Sequence, residues 1–139
     1  MEEDVRSSRP YGGYRTLGFT PTSREDGDAL ARQLVRGDEI WEAFHLIHQV
    51  LEKLSDLDPV EWSTPIGPIS GEAIGWTEAP QGEVLYLVQV KDGVLARVKP
   101  RSASFHNLAL FTAAFPRDIT TDFAFIEASF GLSIAGVAN

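Results

Sequence analysis

The run from Asp28 to Leu54 constrains this chain more than any other segment. Leu30, Leu34, Trp41, Phe44, His48 and Leu51 recur at steps of three, four and seven, and Ile40, Ile47 and Leu54 widen the stripe. That spacing predicts an amphipathic helix ending near Leu54, ahead of Pro59. At 1.5 Å per residue it is roughly 40 Å long. Asp26 and Asp28 stand where a cap and the positive end of the helix dipole favour a carboxylate. With 139 residues and 15.3 kDa, the chain has room for one domain around such a helix.

Residues 1–27 read as an irregular arm. Arg9-Pro10-Tyr11-Gly12-Gly13-Tyr14 and Thr20-Pro21-Thr22-Ser23 carry turn chemistry. The aromatic rings of Tyr11, Tyr14 and Phe19 predict an arm that lies on something apolar, since a free tail lacks them. Beyond the helix, Pro59, Pro65 and Pro68 mark a loop. A three-stranded β-meander is then predicted over 72–99. Its turns are Pro80-Gln81-Gly82 and Asp92-Gly93, the second a type I′ hairpin signal. In the middle strand, Val84, Tyr86, Val88 and Val90 alternate with Leu85, Leu87 and Gln89, which predicts cover on both sides. In the last strand Val94, Ala96 and Val98 share the inward face. Residues 102–131 form the helical carboxy-terminal part. Ser102 or Ser104 caps one short helix that stops at Pro116, and Thr120 or Thr121 caps a second that ends near Gly131. The fold class is α+β, helix-rich: one long amphipathic helix, a three-stranded antiparallel meander and two short carboxy-terminal helices.

Twelve Lys and Arg against 20 Asp and Glu give a net charge of −8. An acidic chain is a poor partner for nucleic acid, which is bound by displacing counterions with basic side chains. It is equally poorly suited to anionic lipid. With no cysteine, disulfides, zinc–thiolate sites and iron–sulfur clusters are excluded. No stretch reaches the ~20 apolar residues of a membrane span, so direct membrane insertion is not expected. Met1-Glu2-Glu3-Asp4 is acidic where a signal peptide is basic and then apolar. The expected location is cytoplasmic, peripheral to a membrane only through partners.

Local chemistry points to no enzyme. Glu42, His45 and His48 have the i, i+3, i+6 spacing of half a bundle metal site, with no second matching motif. Ser104 with His106 lacks the Gly-x-Ser-x-Gly setting of a hydrolytic elbow, and Ser104 is better read as a helix cap. Gly67, Gly71, Gly75 and Gly82 precede no helix and read as turns rather than a phosphate loop.

The ordered segments carry more. Asp28-x-x-x-Arg32-x-x-x-Arg36-x-x-Glu39-Ile40 leads into Leu46-Ile47-x-x-Val50-Leu51. Next comes Gly71-Glu72-x-x-Gly75-Trp76-x-Glu78-Ala79-Pro80-Gln81-Gly82-Glu83. Asp92-Gly93, Pro100-Arg101-Ser102-Ala103-Ser104-Phe105-His106-Asn107-Leu108, Asp122-Phe123 and Ser129-Phe130-Gly131-Leu132 come after it in order. Together these resemble the carboxy-terminal part of the large subunit of energy-converting nickel–iron hydrogenases, of the formate hydrogenlyase type. They are similar also to the quinone-site large subunit of respiratory NADH dehydrogenase, complex I. The resemblance runs from about Arg9 to Asn139.

The resemblance implies a pocket, and the departures imply that it is vestigial. Its positions are Glu78, Gln81, Ser104, Ser133 and Gly136. Where the hydrogenases carry a Cys-x-x-Cys of nickel ligands, this chain has Ser133 and Gly136, and neither replaces a bridging thiolate. Gln81 stands in place of the hydrogenases' Arg in Ala-Pro-Arg-Gly. The quinone-contacting histidine and tyrosine of complex I belong to an amino-terminal half outside this sequence. No cofactor and no independent catalysis are therefore expected. The resemblance and its departures together imply a metal-free, truncated homologue, a non-catalytic or auxiliary component of a membrane-peripheral oxidoreductase complex. Its partners would be an iron–sulfur small subunit and an amino-terminal-half partner. The alternative is a free-standing binding module that left the complex. In isolation a homodimer is expected, because the helix stripe is wider than three strands and two short helices cover, unless the arm folds across it.

Overall fold

The computed structural model describes residues 4–55, 63, 67–115 and 119–137. Most of the proline loop and the helix stop at Pro116 lie outside the described residues. The long helix, α3, spans Ala29–Leu54. The Asp28 carboxylate accepts the Ala31 N–H at 2.7 Å and so caps its first turn. In place of a wholly irregular arm, two one-turn helices precede it, α1 (Val5–Ser8) and α2 (Tyr14–Leu17). Asp4 caps α1 through the Arg6 N–H, and left-handed Gly18 ends α2. Such turns are too short for any hydrophobic period, so only their caps mark them in the sequence.

Strands β1 (Gly71–Ala79), β2 (Gly82–Lys91) and β3 (Val94–Arg101) form the antiparallel meander in the order β1-β2-β3. Asp92 and Gly93 both have positive φ, 52° and 79°, as a type I′ turn requires. The meander departs from simple alternation at one point. Gln89 pairs with Arg97 but Val90 pairs with Leu95, which leaves Ala96 as a bulge. An extra residue inverts the parity of everything beyond it. Leu95 therefore joins Val98 on one face, and Val94 moves to the other. The sequence grouping of Val94 with Val98 is corrected accordingly.

After β3 come α4 (Ala103–Phe111), α5 (Phe123–Phe130) and α6 (Ile134–Val137). Ser102 occupies the N-cap position of α4, and Ser104 is already inside the helix and buried. Ser104 is thus not the cap. Phe111 joins α4 to α5, with ring centroids 5.5 Å from Phe123 and 5.6 Å from Phe130, both edge-on.

The core is thin. Among the described residues the buried apolar side chains are Val5, Ala31, Leu46, Ala103 and Ile126. The surface is 10778 Å², against about 7,100 Å² for a compact monomer of this mass. The excess has clear locations. Val94, Leu95 and Val98 are all exposed, so the cover expected over the sheet is incomplete within this chain. The outer stripe of α3 is bare as well: Trp41 is 75% exposed and Phe44 62%. The arm reaches only the edge of that stripe, where Tyr14 and Leu17 face Ile47 and Leu51 across a shallow pocket. Tyr14 and Leu17 lie on the flank of α3 at Ala43, Leu46 and Val50.

Candidate functional site

A groove of about 590 Å³ opens where the arm, the inner side of α3, the β1–β2 turn and α5 meet. Its lining is charged at both ends, with Arg6, Glu39 and Glu78 at one end and Arg36, Gln81 and Ser129 at the other.

Arg6 organises the first end. Its Nη2 lies 2.7 Å from both the Asp4 and the Glu39 carboxylates, so one guanidinium ties α1 to α3 across 33 residues of sequence. Burial disfavours the charged form of Arg6, but the two carboxylates outweigh that and raise its pKa. Its guanidinium also sits 4.4 Å from the centre of the Phe19 ring. Glu78, at the end of β1, faces the same cluster. Its carboxylate accepts the Val5 N–H at 3.3 Å. Burial pushes the Glu78 pKa up, and the nearby Asp4 carboxylate adds to the shift. Glu83, which pairs directly with Glu78 across the strands, is neutralised by Arg101 at 2.9 Å. The arm also seals the free edge of β1: the Tyr11 hydroxyl accepts the Glu78 N–H at 2.8 Å and bonds to Thr77 at 2.9 Å.

At the second end, Arg32 stacks 4.2 Å from the Phe130 ring centre and donates to the Ser129 hydroxyl at 2.9 Å. Asn107 donates to the Gln81 carbonyl at 2.8 Å and holds the β1–β2 turn against α4. Gly131 closes α5 in the left-handed conformation, φ 62°. A methyl group there would sit 3.0 Å from Arg36 Nη2 and 3.2 Å from the Gln81 side chain, so the close approach of these three requires glycine twice over.

The five sequence-predicted positions separate into two places. Glu78 and Gln81 line the groove. Ser104, Ser133 and Gly136 belong to a compact hydroxyl and backbone cluster between α4 and α6. There the Ser104 hydroxyl accepts the Ser133 N–H at 3.0 Å, and the Ser133 hydroxyl accepts the Gly136 N–H at 3.2 Å. The Ser102 hydroxyl donates to the Gly136 carbonyl at 2.6 Å, and a methyl group on Gly136 would meet that oxygen at 2.9 Å. These oxygens are engaged with backbone, and a hydroxyl is a poor substitute for thiolate. A nickel–iron group does not fit this donor set. His48 pairs with Glu52 at 3.3 Å on exposed α3, and among the described residues no three His, Cys, Asp or Glu side chains converge for a metal. Sequence reasoning did not single out Asp4 and Arg6, or Glu39 as a site residue. Two charges in an arm and one in a helix give no signal until tertiary folding brings them together.

The fold is similar to that of large subunits of the respiratory NADH dehydrogenase and hydrogenase class. The family model for the respiratory-chain NADH dehydrogenase 49 kDa subunit matches residues 1–68. An NADH-quinone oxidoreductase subunit of Prosthecochloris aestuarii is 35% identical over 121 residues, 78% of this chain and 30% of that protein. The carbon monoxide-induced hydrogenase of Rhodospirillum rubrum is 39% identical over 87 residues, 62% of this chain and 24% of that protein. Among solved structures, a chain of the membrane-bound sulfane sulfur reductase, an archaeal respiratory membrane complex, superposes with a TM-score of 0.83 at 27% identity. The superposition covers 100% of this chain and 40% of the reductase chain. The chain belongs to this 49 kDa-type large-subunit family, and it spans 24% and 30% of the length of these two curated relatives. Among the described residues no helix is long and apolar enough to cross a membrane.

Proposed function

We propose that this chain acts as a metal-free, shortened large-subunit module, a non-catalytic or auxiliary component of an NADH:quinone oxidoreductase-like or hydrogenase-like complex at the cytoplasmic side of a membrane. The observation that carries this reading is the full superposition on a chain of a respiratory membrane complex, combined with the absence of any thiolate. The partners are an iron–sulfur small subunit and a polypeptide equivalent to the amino-terminal half of the relatives. The exposed sheet residues Ile74, Val94, Leu95 and Val98 give such partners an apolar surface to cover. In this reading the groove is a structural remnant. Arg6 pairs with both Asp4 and Glu39 inside it and offsets one of their two charges, and Glu78 and Gln81 line it without a metal to face.

The test is fractionation of membranes from cells expressing the tagged chain at native level, followed by native gel separation and mass spectrometry. The chain is expected in one band with an iron–sulfur subunit, and to leave the membrane when that subunit is deleted. Recovery in the soluble fraction without any oxidoreductase subunit would overturn the reading in favour of a free-standing binding module. Stoichiometric nickel or iron in the purified chain would overturn its metal-free part.

A further inference from the structure

Among the described residues, the hydrogen bonds between the arm and the sheet converge on the end of β1. Glu78 is held there from both of its polar ends. Its carboxylate accepts the Val5 N–H at 3.3 Å, and its own N–H is donated to the Tyr11 hydroxyl at 2.8 Å. Thr77 bonds to the same hydroxyl at 2.9 Å. Around the Glu78 carboxylate the charges do not balance. Asp4 comes from the arm and Glu39 from α3, and Arg6 lies 2.7 Å from each. The Arg6 Nε is also donated to Asp4, at 3.0 Å. Glu83, across the strand pair from Glu78, is taken up by Arg101 at 2.9 Å. Arg9 is turned to the Trp76 ring, 5.8 Å from its centre. Tyr14 supplies no charge, since burial pushes its pKa up. Among the described residues no cation is therefore paired with Glu78. The Asp4, Arg6 and Glu39 side chains are only 14%, 16% and 24% exposed, so water screens the imbalance poorly.

We infer that Glu78 is a proton-binding clasp: with its carboxyl protonated the arm is docked on β1, and loss of that proton to solvent loosens the arm. The proton goes to Glu78 rather than to Asp4 or Glu39, because those two hold the guanidinium and are stabilised as carboxylates. A neutral carboxyl keeps an oxygen for the Val5 N–H, so protonation removes a charge without breaking the contact. Ionisation instead sets a third carboxylate beside Asp4 and Glu39 with one guanidinium to share. Undocking relieves this by carrying Asp4 away from Glu78 and admitting water to the carboxylate. The Glu78 pKa moves in the matching direction: burial raises it and Asp4 adds to the rise, against the Val5 N–H and Arg6, which pull it back. Docking thus takes up a proton. It is complete below the ordinary glutamate range and weakens as pH rises through the folded value. Because the Tyr11 hydroxyl covers the backbone at the free edge of β1, the same proton governs access to that edge. Every group of the clasp belongs to this chain, so it operates whether or not the chain joins a complex.

Amide hydrogen exchange of the full chain, resolved by residue with NMR between about pH 4 and pH 8 and corrected for intrinsic rates, tests the clasp. The side-chain carboxyl carbon of Glu78 reports its titration in the same samples. Protection of the Val5 and Glu78 amides is expected to fall several-fold as Glu78 ionises, while the amides paired between β2 and β3 keep theirs. In Glu78→Gln the arm is expected to stay docked, with protection that no longer depends on pH. Tyr11→Phe loosens the arm at its other bond without touching a charge. Because coupling is reciprocal, it is expected to lower the Glu78 titration midpoint towards the ordinary glutamate value. Arm protection that stays level while Glu78 titrates would overturn the clasp. So would a Glu78→Gln arm that still loosens with pH or is released at every pH. A Glu78 midpoint unmoved by Tyr11→Phe would overturn it without recourse to the Glu78 variant.

Discussion

The two sides of α3 are built on opposite terms. The inner side mixes apolar residues, Ala31, Val35 and Leu46, with the charged Arg36 and Glu39, and it meets the arm, the β1–β2 turn and α5 across a charged groove. The outer side carries the largest apolar side chains of the helix, and Trp41 and Phe44 on it are exposed. The helix buries two apolar residues and leaves its larger ones exposed. Its inner side is held by specific pairings such as Arg6 with Asp4 and Glu39, which cost desolvation and return geometry. Its outer side offers unspecific free energy to whatever covers it. The contrast accounts for the thin core and for a surface larger than the mass predicts.

The sharpest way to break that comparison is Leu46→Ala. Leu46 is one of two buried residues of α3, 9% exposed beneath the arm. Its truncation is expected to cost about 2–3 kcal/mol in urea unfolding. Leu34→Ala on the outer side, 47% exposed, should cost under about 1 kcal/mol at concentrations where the chain is monomeric. Equal losses would show that both sides are packed. Next in size is Arg6→Ala, which leaves the Asp4 and Glu39 carboxylates facing Glu78 with no cation between them. A loss of about 2 kcal/mol is expected, somewhat below the 3–5 kcal/mol of a fully buried pair because the groove is open to water. Arg6→Lys should recover only part of it, since a single ammonium does not reproduce the forked contact. If the cluster is merely decorative, neither substitution will move the unfolding midpoint.

A smaller effect separates the groove from the outer face by pH. The Glu78 pKa is raised in the fold, chiefly by burial, so the native state holds a proton that the unfolded chain releases first. Stability from this group is therefore full below its unfolded value and declines as pH rises through the folded one. Glu78→Gln keeps an acceptor for the Val5 N–H and removes the titration. It is expected to flatten the stability profile between acid and neutral pH, and to stabilise the chain by a few tenths of a kcal/mol at pH 7. An unchanged slope would mean that the proton sits elsewhere in the cluster. The last test is Gly37→Ala, expected to add about 0.5–1 kcal/mol to the monomer through helix propensity alone. A loss would place at Gly37 a contact that the described residues do not show.

Much of the architecture is legible without coordinates. The α3 period, the Asp28 cap, the Asp92-Gly93 turn and the left-handed end at Gly131 are each fixed by residues within a few positions of one another. The order of segments is enough to place the family. The bulge at Ala96 was not legible, because Val94, Ala96 and Val98 alternate as a regular strand does, and only pairing with β2 decides which residue is squeezed out. The candidate site was legible by halves. Glu78 and Gln81 stand in a recognisable segment, yet the arm residues that define their surroundings lie more than 70 positions away.

By itself, then, the sequence determined the elements, their caps and the absence of thiolate chemistry, because helix period, turn conformation and residue type are local properties. It also determined that α3 has an apolar side. Which side of α3 turns inward was settled only in three dimensions. An apolar stripe records an affinity for cover, not the identity of the cover, and the charged pairings of Arg6, Asp4 and Glu39 join residues that have no relation until the chain folds.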